Sequence, residues 1–146
     1  IDIQSGAPEM VPDMEKLEGI DVMQVHPFVL HYQTMAMADL DIGIACQADH
    51  HFNKFKSNLK WLEYTMLGIP TIASKMPSYE CINHMEDGIL CSTPEEWEKA
   101  IQLLIDKPEE RDRLVNNARK RILKEFNIAE NWKNWRSAVD LAIGGK

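Results

Sequence analysis

Short apolar runs that alternate with helix-length segments constrain this chain more than any other feature. LDIGIACQ (40–47) and PTIAS (70–74) are too short for helices and apolar along most of their length, which predicts strands buried on both faces, as in a parallel sheet. Between them the pattern predicts a helix over 57–67, closed by Gly68 as a left-handed cap with Pro70 just beyond. An Asp87-Gly88 turn then leads into a last short strand, Ile89–Cys91. Upstream, the segments 1–3 and 20–27 alternate apolar and polar residues and predict two further strands, with a weak helical stretch near 10–17. Phe28, Tyr32 and Met35 lie at helical spacing. Everything after residue 92 predicts helix. Thr93 and Glu96 form a capping box with Pro94 at the first helical position, and further helices are expected over 108–125 and 129–142. The class is therefore α/β: a parallel sheet flanked by helices, with a helical cover over 94–146.

At 146 residues and 45% hydrophobic content, the chain supports one core and is short for two, so a single domain over 1–146 is expected. A net charge of -7 and a pI near 5.2 argue against a nucleic-acid partner, which draws on a broad basic face. No apolar run approaches the roughly 18 residues of a membrane span, and nothing resembles a signal peptide. The expected location is the cytoplasm, including the inner face of the membrane. Cys46, Cys81 and Cys91 are widely spaced without a C-x-x-C pair, so they read as reduced packing residues rather than a disulfide framework or zinc site. The opening IDIQSGAP reads as the middle of a strand running into a turn, and a longer parent protein is expected.

The chemistry concentrates in HFNKFKSNLKWLEYTMLGIPTIAS (51–74), where an acidic chain places Lys54, Lys56 and Lys60 at the passage from loop to helix. In open α/β sheets, ligands bind beyond the carboxyl ends of the strands, and this loop follows such an end. With Ser57 as N-cap, the free amides of Asn58, Leu59 and Lys60 and the helix dipole form an anion site. Lys56, Lys60 and Glu63 share one helical face, with Leu59, Leu62 and Met66 expected on the buried one. Lysines near the helix start suit phosphate oxygens, and a carboxylate about two turns deeper suits sugar hydroxyls. The spacing fits a nucleotide. A surface pair of Lys60 with Glu63, the other lysines being merely solvated, is the competing reading. Cations at a helix start oppose its dipole, which favours the anion.

DLDIGIACQ, FNKFKSNLKWLEYTMLGIPTIAS and YECINHMEDGILCSTPEEWEKAIQLLI, with the closing ARKRILKEFN, together resemble the C-terminal, donor-binding half of a GT-B-type glycosyltransferase. They are most similar to the bacterial glycosyl group 1 (retaining) enzymes of surface-polysaccharide synthesis. Glu63, Tyr64, Gly68 and Pro70 in the pattern E-Y-x-x-x-G-x-P carry the most specific part. The resemblance implies a Rossmann-like sheet and a hexosyltransferase-like enzyme using a nucleotide diphosphate sugar as donor, with no cofactor and no bound metal. It implies that Glu63 holds the donor ribose and that Lys56, Ser57, Asn58, Leu59 and Lys60 hold the diphosphate. Many members carry a second glutamate eight positions earlier, where this chain has Phe55, and often a proline where it has Cys46. The resemblance implies that the family's first C-terminal strand and its acceptor-binding N-terminal domain are expected to lie outside this sequence. The acceptor glycan or lipid-linked sugar is therefore expected to bind through that other domain, isolated activity is expected to be low, and unpaired strand edges predict self-association.

His51 and Asn53 are placed in the donor pocket by their loop. His50 and His51 beside Asp49 do not predict a metal site, because adjacent side chains in an extended loop diverge and no further ligands cluster nearby. His26, His31 and His84 read as structural or exposed. Ser74 and Tyr79 follow another strand end, and either line the donor site or form an ordinary turn with its packing residue. Trp132, Trp135 and Val139 stripe the final helix, as an interdomain surface or as packing on its own domain. A noncatalytic interaction module of the same fold is the alternative function, with Phe55 as its best support. A dinucleotide site is disfavoured, since no G-x-G-x-x-G follows a strand.

Overall fold

The computed structural model describes residues 31–144. The strands expected over 1–3 and 20–27, and the stretch near 10–17, lie outside the described residues. By contact the chain falls into two compact units, Ile1–Thr34 and Met35–Lys146, and apart from residues 31–34 the following account concerns the second.

Helix α1 (His31–Met37) is where helical spacing around Tyr32 and Met35 placed it. It is followed by Asp39 in a left-handed conformation (φ 47°), which Asp tolerates better than most residues. Strands β1 (Gly43–Ala45), β2 (Thr71–Ser74) and β3 (Ile89–Cys91) form a parallel sheet in the order β1-β2-β3. Ile44 stands beside Ile72, and Ile72 beside Ile89. Because side chains alternate across a strand, these three share one face, and Ala45, Ala73 and Leu90 share the other. Helices α2 (Leu59–Leu67), α3 (Pro94–Asp106), α4 (Pro108–Glu125) and α5 (Ile128–Gly144) complete the unit. The fold is Rossmann-like α/β, as the alternation of short apolar runs and helices implied.

Each face of the sheet has its own core. Ala45 and Ala73 pack with Trp61, Tyr79, Ile82, Ala118 and Ile122 on one side. Ile72, Ile89 and Cys91 pack with Ala100, Leu104 and Leu114 on the other. Helix α4 serves both, through Leu114 in its first half and Ala118 and Ile122 in its second. Small residues in β1 and β2 let α2 approach closely: a Cβ built on Gly43 would stand 2.5 Å from the Tyr64 ring, so glycine is what the packing permits.

Local signals set the helix ends. The Thr93 hydroxyl accepts from Glu96 N–H (3.3 Å), and the Glu96 carboxylate accepts from Ser92 and Thr93 N–H (2.5 and 3.3 Å), completing the expected capping box. Gly68 closes α2 at φ 86°, with its N–H bonded to Thr65 and Tyr64 carbonyls. Arg119 of α4 donates to the last carbonyls of α2, those of Thr65 and Met66 (3.4 and 3.3 Å). Lys107 separates α3 from α4 without a side-chain cap, and Pro108 starts α4 at its first position.

Four expectations are corrected. Strand 40–47 shortens to Gly43–Ala45 and is not buried on both faces: Ile44 is 46% exposed, because α3 lies over β3 and β2 and stops short of β1. Of Leu59, Leu62 and Met66, expected on the buried side of α2, only Leu62 packs against the core, and it is partly buried. Leu59 and Met66 are 49% and 51% exposed, while Trp61, Glu63 and Thr65 are buried, since the helix is clamped between the sheet and α4 rather than laid on one surface. The final helix runs Ile128–Gly144 rather than 129–142. Its stripe does not pack on the described part of the unit: Trp132, Trp135 and Val139 are exposed, and the helix buries no residue.

Candidate functional site

The carboxyl ends of β1 and β2 are stitched together by Gln47. Its N–H donates to Ser74 Oγ (2.8 Å), and Ser74 Oγ donates back to the Gln47 carbonyl (3.2 Å). The Gln47 side chain accepts from Ser78 Oγ (2.9 Å) and donates to the Tyr79 hydroxyl (3.4 Å). Tyr79 is buried, and burial pushes its phenol pKa up. Ser74 and Tyr79, named from the sequence, thus meet at one residue that the sequence gave no reason to name. A glutamine closing a short apolar run is an ordinary strand end until its partners, 27 to 32 positions away, are known.

The connection onward is built in short-range steps. Asn53 Nδ2 donates to the Ala48 carbonyl (2.8 Å), and His50 Nδ1 accepts from Phe52 N–H (3.3 Å), capping a 3₁₀ turn over His51–Phe55. His51 meets the Phe55 ring edge-on at 5.1 Å. Lys54 pairs with Asp49 at 3.4 Å, and Lys56 Nζ lies 5.5 Å from the Phe52 ring centre. The three lysines therefore do not converge as a group on one point: Lys54 turns to a carboxylate in its own loop. Among the described residues no group of three or more His, Cys, Asp or Glu is arranged to hold a metal.

The start of α2 differs from the expectation in an instructive way. Ser57 is not the N-cap; it precedes the helix, because the Asn58 carbonyl is the one that accepts from Trp61 and Leu62 N–H (3.0 and 3.3 Å). The amides heading the helix are those of Leu59 and Lys60, and Asn58 becomes the cap. Its side chain makes no capping bond; it donates to Cys81 Sγ at 3.1 Å instead. Thr93 caps the start of α3 with its side chain, and the start of α2 has no such side-chain cap.

Glu63 lies one turn further on and is buried, its side chain 5% exposed, with Lys60 Nζ at 3.2 Å. Lys60 is one of the groups that engage this carboxylate. This is not the exposed helical pair of the competing reading, because only Lys60 is in solvent, at 47%. Lys60 also lies 6.0 Å from the Tyr64 ring, whose hydroxyl donates to the Ile44 carbonyl (3.4 Å). Burial raises the Tyr64 pKa, against the opposing pull of Lys60.

A polar network beneath the site holds α2 in place. Arg121 of α4 pairs with the buried Asp87, donates to the Cys81 carbonyl and lies 5.0 Å over the Trp61 ring. Asp87 accepts from Asn83 N–H and Nδ2 (2.8 and 3.1 Å), and its carbonyl accepts from Trp61 Nε1 (2.9 Å). Through Cys81 the network reaches Asn58. Cys81 is half-buried and its thiol pKa is raised by burial, and Cys91 is buried, with a pKa pushed up to about 11. Cys46, expected to pack, is exposed, because it lies just past the end of β1.

The unit is thus a Rossmann-like α/β sheet in which α2 starts without a side-chain cap and carries a buried carboxylate one turn on. A family model described as glycosyl transferase-like matches residues 17–137, and the chain belongs to that family. Neither curated proteins nor solved structures give a match. The family supports a role in glycosyl transfer. Among the described residues, no helix is long and apolar enough to cross a membrane.

Proposed function

We propose that this chain is the donor-binding half of a GT-B-type glycosyltransferase, taking a nucleoside diphosphate sugar. The observation that carries this reading is Glu63, a buried carboxylate one turn inside a helix whose start has no side-chain cap. In this reading Glu63 accepts hydrogen bonds from the ribose hydroxyls, and the segment Lys56, Ser57, Asn58, Leu59 and Lys60 receives the diphosphate. The Leu59 and Lys60 amides supply hydrogen bonds, and the lysines supply charge. In the same reading His51, Asn53, Ser74 and Tyr79 contribute to the donor pocket. Fixed positive charge there stabilises the nucleoside diphosphate as it leaves the sugar. The acceptor, a glycan or lipid-linked sugar, enters from the other half of the parent enzyme, and no cofactor takes part.

Calorimetric titration of the chain with UDP, GDP and ADP tests this. One nucleotide should bind, Glu63→Gln should weaken it about tenfold, as expected for a lost charge-assisted bond, and Lys56→Ala should weaken it less and in a salt-dependent way. Binding by none of the three to a folded chain, or binding indifferent to Glu63→Gln, refutes the reading. A noncatalytic interaction module is the second reading, favoured by Phe52 and Phe55, 66% and 77% exposed on the turn before α2. It requires no dependence on Glu63.

A further inference from the structure

A cleft on the outer flank of β3 plays no part in the site described above. It encloses about 330 Å³, toward the lower end of the roughly 300–1,000 Å³ of small-molecule sites. Its floor is aliphatic, made by Ile89 of β3 with Ala100 and Leu103 of α3, and Leu90 borders it from the strand. Its rim is basic, with Lys75, Lys99 and His84. Among the described residues neither lysine is in an ion pair. The carboxylate in the lining, Glu96, is already committed to the Ser92 and Thr93 amides of the capping box. Glu96 keeps its negative charge and feels Lys75, so with two lysines to one carboxylate the rim carries an excess of positive charge around an apolar hollow.

The sheet edge decides against an extended peptide. Strand addition needs free main-chain donors along the edge, and the Leu90 N–H is taken by His84 Nδ1 at 3.0 Å. The His84–Gly88 bridge and the Met85 N–H bond to the Gly88 carbonyl (2.8 Å) close the same flank. With Nδ1 accepting, the neutral His84 ring carries its proton on Nε2, which leaves one more donor at the rim.

We propose that this cleft binds a small amphipathic carboxylate, with an aliphatic chain against Ile89, Ala100 and Leu103 and its carboxylate at Lys75 and Lys99. The complementarity is one of charge at the rim and of apolar surface below it. The site shares no residue with the proposed donor crevice, and either stands without the other.

Octanoate is the probe, with octanamide as its uncharged counterpart, followed by NMR of the isotopically labelled chain. Octanoate should shift the Ile89, Leu90 and Leu103 signals with a dissociation constant on the order of 1 mM or tighter. Octanamide should bind about tenfold more weakly, and a Lys75→Ala/Lys99→Ala variant should lose octanoate affinity by a similar factor. Both lysines are exposed, so the variant keeps its fold and its spectrum reports this directly. Absence of shifts at these residues, equal binding of octanamide, or undiminished affinity in the variant overturns the proposal.

Discussion

Replacing Asp87 by Asn tests the claim that the network below α2, rather than the apolar core alone, holds this domain together. Asparagine keeps the shape and leaves an acceptor for Asn83 N–H, and the Asp87 carbonyl still receives Trp61 Nε1. What disappears is the negative charge facing Arg121, at a site where Asp87 is 4% exposed. Removing one partner of a buried ion pair costs about 3–5 kcal/mol. Arg121 retains Glu125 at 3.0 Å, the Cys81 carbonyl and some exposure, its side chain being 18% accessible, so the lower end, about 3 kcal/mol, is expected. Arg121→Met should cost more, about 4 kcal/mol, because it strands the more deeply buried carboxylate and gives up the stacking on Trp61. The double variant should fall well short of the sum, the two groups being each other's partner. Urea unfolding followed by Trp fluorescence reads these values. With a slope of about 1–3 kcal/mol/M, Asp87→Asn should move the midpoint down by about 1–3 M. A shift under about 0.5 kcal/mol for Asp87→Asn, or strict additivity in the double variant, refutes the reasoning.

Other predictions are simpler. Gly68→Ala should cost about 1–2 kcal/mol from its left-handed conformation alone, because a Cβ there would meet nothing nearer than Arg119 at 3.7 Å; an unchanged melting point would contradict this. Thiol labelling of the folded chain should mark Cys46, which is exposed, well before Cys91, which is buried, and mass spectrometry after brief alkylation would reveal the reverse order. The Cys91 pKa is raised by burial from 9.0 to about 11, so the folded state holds this proton more tightly than the unfolded chain. Its contribution to stability is therefore intact below pH 9 and declines as pH rises toward 11. Cys91→Ala should flatten that part of the stability profile, and an equally steep decline in the variant would exclude Cys91 as its cause.

The link between fold and site runs through α2. The Trp61 indole, fully buried and hydrogen bonded to the Asp87 carbonyl, fixes the rotation of the helix about its axis. That rotation carries Glu63 inward and leaves Leu59 and Met66 in solvent. Variants in the network should consequently weaken any ligand held by Glu63 even without touching it, whereas loss of the capping box at Thr93 should lower stability without that effect.

Much was settled by neighbours along the chain. The capping box at Thr93, the left-handed Gly68, the start of α4 at Pro108 and the strand Ile89–Cys91 depend on groups within a few residues of one another, so the sequence alone specifies them. The parallel sheet follows from short apolar runs spaced by helices. Which side of α2 is buried could not be read this way, because Leu59, Leu62 and Met66 satisfy helical periodicity as well as Trp61 and Thr65 do. The choice was made by distant partners: Asp87, 26 residues beyond Trp61, receives its indole, and Arg121, a further 34 residues on, pairs with Asp87. Gln47 is the same case at the site itself. Local chemistry determined where α3, α4 and β3 begin and where α2 ends, and only tertiary packing decided which side chains the elements bring together, since a hydrogen bond across the fold leaves no periodic trace in sequence.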